Sequence, residues 1–554
     1  MTRQPDHPTS PARRNLFRLA TAGAMSTAAA VAVSGSAWAR PGVPASPSGT
    51  PFVEKDTLVV NVLDHGATGD GSTDDTQALQ AALDAGRGRT VYIPPGVYLV
   101  STMLSVFSGT TVLATATSVV RRTDGPSILG NGVLGDMTAT KFDGESNIVI
   151  QGGVWDVNAR NVARNANAFS FSHGRNIRVY DVRVLDVQGW HAMELNAVET
   201  VRVANSRFEG FSDPAGNRQY SEAVHMDYAG GAGHFTLFGA PDFYGCKDIE
   251  VIGCYSGPSA DFPSYPRLVG SHGGPDGHQH TGLRVISNYA DQCSEWAIRL
   301  YDWLDGVVEG NQIADGGGGI QIGPAGVQTG GNIVVRGNTL RKLTGVQEAD
   351  GRPPDAAICI GRLNNSRTHR LTVTGNIVED VDMEGIAVYR TDGAVVSANV
   401  VEDCAGVGIR VNDAPRAVVT SNSIRRTGRE GVVVHAGSNG ALVSGNLTED
   451  TGAYGMSITN AVEDVVVRDN ILLGSGTADG TVAALRVSNN ANRVTLAGNT
   501  VRRRDSGAHA EYGISITSTC TGTWYTGNDL RDSGATAAVS DQGSDSSTDP
   551  AGLS

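Results

Sequence analysis

A short corner recurs along the second half of this 554-residue chain: a β-forming run, a Gly-Asn pair or close variant, then another β-forming run. It reads VVEGN at Asn311, VVRGN at Asn338, TVTGN at Asn376, VVSAN at Asn399, VVTSN at Asn422, LVSGN at Asn446, VVRDN at Asn470, TLAGN at Asn499 and YTGN at Asn528. The steps are 27, 38, 23, 23, 24, 24, 29 and 29 residues. A unit of that size cannot bury an apolar face alone, so neighbouring units must stack into a solenoid. The 71 glycines and the modest share of charged residues (18%) suit many short strands and tight corners.

Each repeat also carries an alternating strand in which small and apolar residues point inward and two positions point outward. Examples are AMELN (192–196), AVHMD (223–227), LVGSH (268–272), AIRLY (297–301) and GIQIG (319–323). Side chains alternate faces along a strand, so the outward pairs of successive turns stack in two columns about 4.8 Å apart. The columns read Ser170 and Ser172, Glu194 and Asn196, His225 and Asp227, Gly270 and His272, Arg299 and Tyr301, then Gln321 and Gly323. Acid, amide, imidazole, guanidinium and phenol therefore gather on one face, whereas later turns are plain. Glu222 and Arg267 stand at corners before their strands and either enter the cleft or pair with each other. Trp296 and Trp303 flank the Arg299 strand, where they serve as sugar platforms or as packing. The same turns hold long insertions at 207–220, 229–247, 255–266 and 273–280, rich in aromatic residues. Binding function concentrates in such loops on a rigid scaffold.

Formal charge is −14, and the first 39 residues contribute about +3 to it. The remainder is distinctly acidic, against the basic footprint of a nucleic-acid binder. Arg13-Arg14 followed by an apolar alanine-rich run and Ala37-Trp38-Ala39 reads as a twin-arginine export signal with a small-residue cleavage site. The expected organisation is a signal at 1–39, a Pro- and Ser-rich linker at 40–56, the solenoid at 57–532 and a disordered tail at 533–554. The expected location is extracellular, with the twin-arginine translocase as an export partner. No later apolar run is long enough to span a membrane. The six cysteines show no C-x-x-C spacing, and Cys254 stands where the corner asparagine is expected, which favours a place inside the turn.

Residues 57–100 open with Asp64, Gly66, Gly69-Asp70-Gly71 and Asp74-Asp75, then an apolar stripe of Ala78, Leu79, Ala82 and Leu83, then Ile93-Pro94-Pro95-Gly96-Val97-Tyr98. Asp74-Asp75-Thr76 carries helix N-cap chemistry. This stretch resembles the opening of the pectate-lyase-like, rhamnogalacturonase/epimerase-related superfamily. The resemblance implies an all-β fold, a right-handed parallel β-helix (solenoid) with a short N-terminal capping helix, on which many members act on polysaccharides and others are phage tailspikes. It identifies the fold more sharply than the reaction.

Two reactions suit the loaded face. In a lyase acting on a uronate polymer, Arg299 or Arg267 with Asn196 neutralises the carboxylate, His225 or His272 is the base, and Tyr301 is the acid. Asp227 would orient His272. In an inverting glycoside hydrolase, Glu194 and Asp227 would flank the bond, one turn and one outward step apart. The elimination is the leading expectation, with hydrolysis and a non-catalytic carbohydrate-binding protein as alternatives. The Asn-Thr-Asp, Asp-Asp, Gly-His-Gly and Arg-Ile-Lys motifs of polygalacturonase-type members do not appear as such in the loaded cluster, and neither do the clustered aspartates of calcium-dependent pectate lyases. His272 with His278 and His280 are metal ligands by type alone. No cofactor or metal site follows from the sequence, and a divalent cation is left open.

Overall fold

The computed structural model describes residues 59–548 apart from 232–234, 236, 276, 325–329, 346–355, 362–365 and 506. The expected export signal and linker lie outside the described residues. Alternating apolar side chains and positive-φ corners wind the chain into a right-handed parallel β-helix. Its strands fall into three sheets of eighteen, sixteen and sixteen strands among the described residues. Strands adjacent in a sheet come from successive turns and pair in parallel. In the third sheet Asn167–Ser172 pairs with Met193–Asn196, then come Glu222–Asp227, Arg267–Ser271 and Trp296–Tyr301. The inward positions stack as one continuous core, for instance Val396, Val419, Val443, Val467 and Leu496, all fully buried.

The corner asparagines form a ladder inside the wall. Asn399 shows the pattern: its Nδ2 donates to Val373 O (3.0 Å) and to Asn422 Oδ1 (3.0 Å), and its backbone N–H donates to the same Oδ1 (3.0 Å). The pattern runs from Asn288 to Asn528. The residue before each asparagine turns the chain with a positive φ, as at Gly310 (63°), Ala398 (54°), Ser421 (56°) and Asp469 (55°). Glycine recurs there because only it adopts that conformation without steric cost. Cys254 takes an asparagine's place, as its position suggests. Its N–H donates to Asn288 Oδ1 (2.9 Å), and all six cysteines are buried free thiols. One turn earlier the ladder position is Ser206, while Asn205 occupies the positive-φ place (50°).

The short helix Thr76–Ala85 lays Leu79, Ala82 and Leu83 on the first turns and joins their core. The expected residues carry its capping in divided roles. Asp74 Oδ1, not Asp75, accepts the Thr76 N–H (3.0 Å), and Asp75 accepts from the Thr68 and Gly69 N–H groups and so pins the preceding loop.

The expected disordered tail is also corrected: Ala537–Asp541 pairs in parallel with Tyr512–Ile516. Backbone hydrogen bonding to the previous turn needs few large side chains, and Val539 supplies a partly buried one. No helix among the described residues is long and apolar enough to cross a membrane.

Asn422→Ala strands the Asn399 N–H and amide and opens a small void. Calorimetry should show a lower Tm and a loss of about 2–4 kcal/mol, with the fold retained. A change within about 0.5 kcal/mol would show that the ladder is not a principal tie between turns.

Candidate functional site

The insertions are shorter than the sequence suggests. Arg207–Ser212 and Tyr255–Gly257 are ordinary strands of the second sheet, and His280 opens a strand of the first. Much of their aromatic content is core: Phe211 and Tyr265 are buried together. The long excursion after Asp227 instead folds back along the third sheet, where Phe235, Leu237 and Phe238 cluster with Met103. Phe235 and Leu237 wall a cleft of about 260 Å³ whose other lining residues include Glu194, His225, Asp227 and His272.

The parallel register assembles these groups. Glu194 is the cross-strand partner of His225, and Asn196 that of Asp227. Asn167 Nδ2 donates to Glu194 Oε2 (2.8 Å) and Asn196 Nδ2 to Oε1 (3.3 Å). Burial raises the Glu194 pKa, with the His225 charge working against the rise and Asp227 adding to it. His225 is almost wholly buried between two carboxylates, with Nδ1 3.1 Å from Glu222 Oε2 and Nε2 3.6 Å from Asp227 Oδ2. Burial alone would lower its pKa; Glu222 and Asp227 outweigh that and raise it well above 6.5, so it is an imidazolium. Asp227 Oδ2 also meets His272 Nδ1 at 2.9 Å, and its Oδ1 accepts the Tyr228 N–H (2.7 Å). The His272 side chain is 49% exposed and lines the cleft.

Four residues missed by the sequence reading complete the pocket: Asn167, Trp190, His191 and Arg218. The signal was available for two of them. Ser127, Asn167, His191, Glu222 and Arg267 all stand three residues before an outward position, forming a third column along the corner. The His191 ring stacks on His225 with centroids 4.2 Å apart. Burial, then the His225 charge, push its pKa well below 6.5. Its Nδ1 lies 3.2 Å from both the backbone N and the carbonyl oxygen of Glu222.

Other expected roles move. Arg267 is buried and bound to Glu222 Oε1 (2.8 Å) and Glu295 Oε2 (3.5 Å), a structural ion pair rather than a substrate clamp. Glu222 is likewise internal, its carboxyl held below its ordinary range by His225, then Arg267, against the opposing effect of burial. Trp296 and Trp303 are fully buried, so neither is a sugar platform. Trp303 Nε1 donates to Ser271 Oγ (3.0 Å), and Trp296 packs with Ala356, Cys359 and Ala387. Arg299 lies over the Tyr301 ring (4.8 Å), and neither lines the cleft. His280 accepts the Cys246 N–H on Nδ1 (2.9 Å) and stacks on Trp303, and so holds the wall. Two groups bring ligand-type atoms within 4.8 Å of one another, His191 with Glu222 and His225, and His225 with Asp227 and His272. Both groups include His225, which as an imidazolium has no lone pair to offer a metal.

Two family models match. One, described as rhamnogalacturonase A/epimerase, pectate lyase-like, covers residues 59–256; the other, the right handed beta helix region, covers 358–530. The chain belongs to the pectate-lyase-like right-handed parallel β-helix superfamily. The first match reaches across Glu194, His225 and Asp227 and stops short of His272.

Among characterised superfamily relatives, plasmin and fibronectin-binding protein A of Streptococcus pneumoniae (strain ATCC BAA-255 / R6) is 26% identical over 286 residues, 47% of this chain and 40% of that one. Rhamnogalacturonase A of Aspergillus niger is 30% identical over 140 residues, 24% of this chain and 30% of that one. The chain thus spans two fifths or less of these relatives' length. The crystal structure of PfbA, a surface adhesin of Streptococcus pneumoniae, superposes with a TM-score of 0.60 at 20% identity, covering 68% of this chain and 91% of that one. That likeness is one of fold.

The buried ion cluster has a pH signature. Unfolded, Glu222 and His225 titrate near 4.5 and 6.5; folded, they titrate lower and well higher. The Glu222 contribution is present above pH 4.5 and lost as pH falls through its lowered value. That of His225 is whole below 6.5 and lost as pH rises through its raised value. Glu222→Gln should cost about 3–5 kcal/mol. The Tm gap to the native chain should be widest between pH 4.5 and 6.5; a gap independent of pH contradicts the assignment.

Proposed function

We propose that the chain is a polysaccharide-cleaving enzyme that breaks a uronate-containing polymer by β-elimination, with His272 as the base and Glu194 as the acid. The observation that carries this reading is the Asp227–His272 pair, 2.9 Å between Oδ2 and Nδ1, in one cleft with a buried carboxyl of raised pKa. An aspartate on Nδ1 sets the tautomer, leaving Nε2 to take the proton α to the uronate carboxylate. Glu194, whose pKa burial raises, donates a proton to the departing glycosidic oxygen. The His225 imidazolium, with the His191 ring stacked on it, and Arg218 supply positive charge for the carboxylate, whose charge grows as the proton leaves.

The register favours elimination over the hydrolytic alternative. Both Asp227 oxygens are engaged, by the Tyr228 N–H and by the two imidazoles, which disfavours Asp227 as the direct activator of a water. Tyr301, expected as the acid, gives way to Glu194, and Arg299 and Arg267 give way to His225 and Arg218. Rhamnogalacturonase A, and alginate lyase 7 of Azotobacter vinelandii (61% identical over 44 residues, 7% of this chain and 5% of that one), support a glycan substrate by name. The twin-arginine signal supports action outside the cell.

Incubation with uronate polymers should yield ultraviolet-absorbing unsaturated ends. His272→Ala should lower kcat by about 10²–10⁴-fold. The native rate should fall as pH rises through the raised Glu194 pKa, and Glu194→Gln should remove that alkaline limb along with most of the rate. Glycan retention without cleavage across the panel would make the chain a binder and sink this reading.

A further inference from the structure

Beyond the loop that walls the catalytic cleft lies a second, larger pocket of about 400 Å³. The same excursion borders both: Phe235 and Leu237 face the first, Phe238 and Gly239 the second. Its floor continues the outward column of the third sheet to Ser172, one turn before Asn196. The two pockets are therefore neighbours along the helix wall, the direction in which a polymer would run.

Their charges are opposite. The first holds Arg218 and the His225 imidazolium. The second presents the carboxyl groups of Asp136, Asp143 and Glu145, and no Lys, Arg or His lines it among the described residues. Thr140 binds the Asp143 carboxylate through its N–H and hydroxyl and keeps it ionised. Thr138 occupies Asp136 Oδ1 and Ser108 occupies Glu145 Oε2, which leaves the other oxygen of each as an acceptor. A second observation points to a ligand. Ser172 lines this pocket, is 2% exposed, and its Oγ has no hydrogen-bond partner among the described residues. A buried hydroxyl without a partner is costly unless something else supplies one.

We propose that this pocket is a sugar subsite for a residue without a carboxylate, so that the substrate is a polymer alternating uronate with a neutral or amino sugar. The proposal rests on the uronate reading of the first cleft. Carboxylate oxygens accept from sugar hydroxyls or an ammonium group, and they repel a second uronate. The subsite thus selects by rejection as well as by contact.

The test is binding of defined oligosaccharides to the full chain carrying Glu194→Gln, by calorimetry, alongside turnover by the native chain. Alternating oligomers should bind at least about tenfold more tightly than a homopolyuronate of equal length. Asp136→Asn with Glu145→Gln keeps the turn acceptors, removes two charges, and should narrow that ratio at least about threefold by tightening the homopolyuronate. Ser172→Ala should weaken the alternating oligomer alone and guards against a fold defect in the double variant. A preference that vanishes on N-acetylation supports an amino sugar; one that persists supports a neutral sugar. Equal binding of both polymers, or a ratio that neither variant moves, overturns the subsite. A preference that persists while no uronate polymer yields an unsaturated product leaves the subsite standing and overturns the elimination.

Discussion

Hydrogen bonding between successive turns, sealed at one corner by the asparagine ladder, is the constraint on which everything else in this molecule depends. Each ladder asparagine satisfies groups of its own turn and its neighbour's, so a slip of one residue would strand buried donors along the wall. Register fixed in this way carries straight to the outward face. Glu194, His225 and His272 are distant in sequence, yet each is delivered to the same cleft by the pairing of backbone strands. A site built on strands is held more narrowly than one built on loops, and electrostatic catalysis needs that rigidity.

The second organising element is charge alternation inside the wall. Glu295, Arg267, Glu222, His225, Asp227 and His272 follow one another, each next to an opposite or proton-sharing neighbour. A strongly acidic chain thereby maintains an imidazolium within its binding cleft. The buried Arg267–Glu222 pair fixes that charge at a distance from solvent, and the partly exposed His272 is the end of the series that opens to the cleft. Glu194 stands apart: burial raises its pKa against the His225 charge and the two amide donors, so it keeps its proton more readily than a surface carboxyl does. On the proposed reading, one face offers an acid and a base of different character, Glu194 and His272, from the turns on either side of the His225 turn.

The fold and the two outward columns were legible because strand parity is strict: Glu194, His225, Asp227 and His272 come together where an alternation of two places them. Parity stops at corners, and there the reading failed. Trp296 aligns with Arg267 in the corner column, yet its ring turns inward against Ala356 and Cys359. Trp303 opens a strand of a different sheet. Asn167 and His191 occupy the same corner column as Glu222 and were visible only by extending that column backward. Arg218 and Phe235 come from the long excursions, whose path depends on tertiary contacts such as Met103 with Phe238, and no local pattern announces them. The tail escaped for another reason: its strand is held by the backbone of the preceding turn rather than by its own side chains.

The proposed mechanism requires that the cleft eliminates rather than hydrolyses. The most direct measurement is digestion of a uronate polymer in ¹⁸O-labelled water with mass analysis of the products. Elimination predicts unsaturated fragments that carry no label at the newly formed ends. Incorporation of one label per cleaved bond, in saturated fragments, would contradict it.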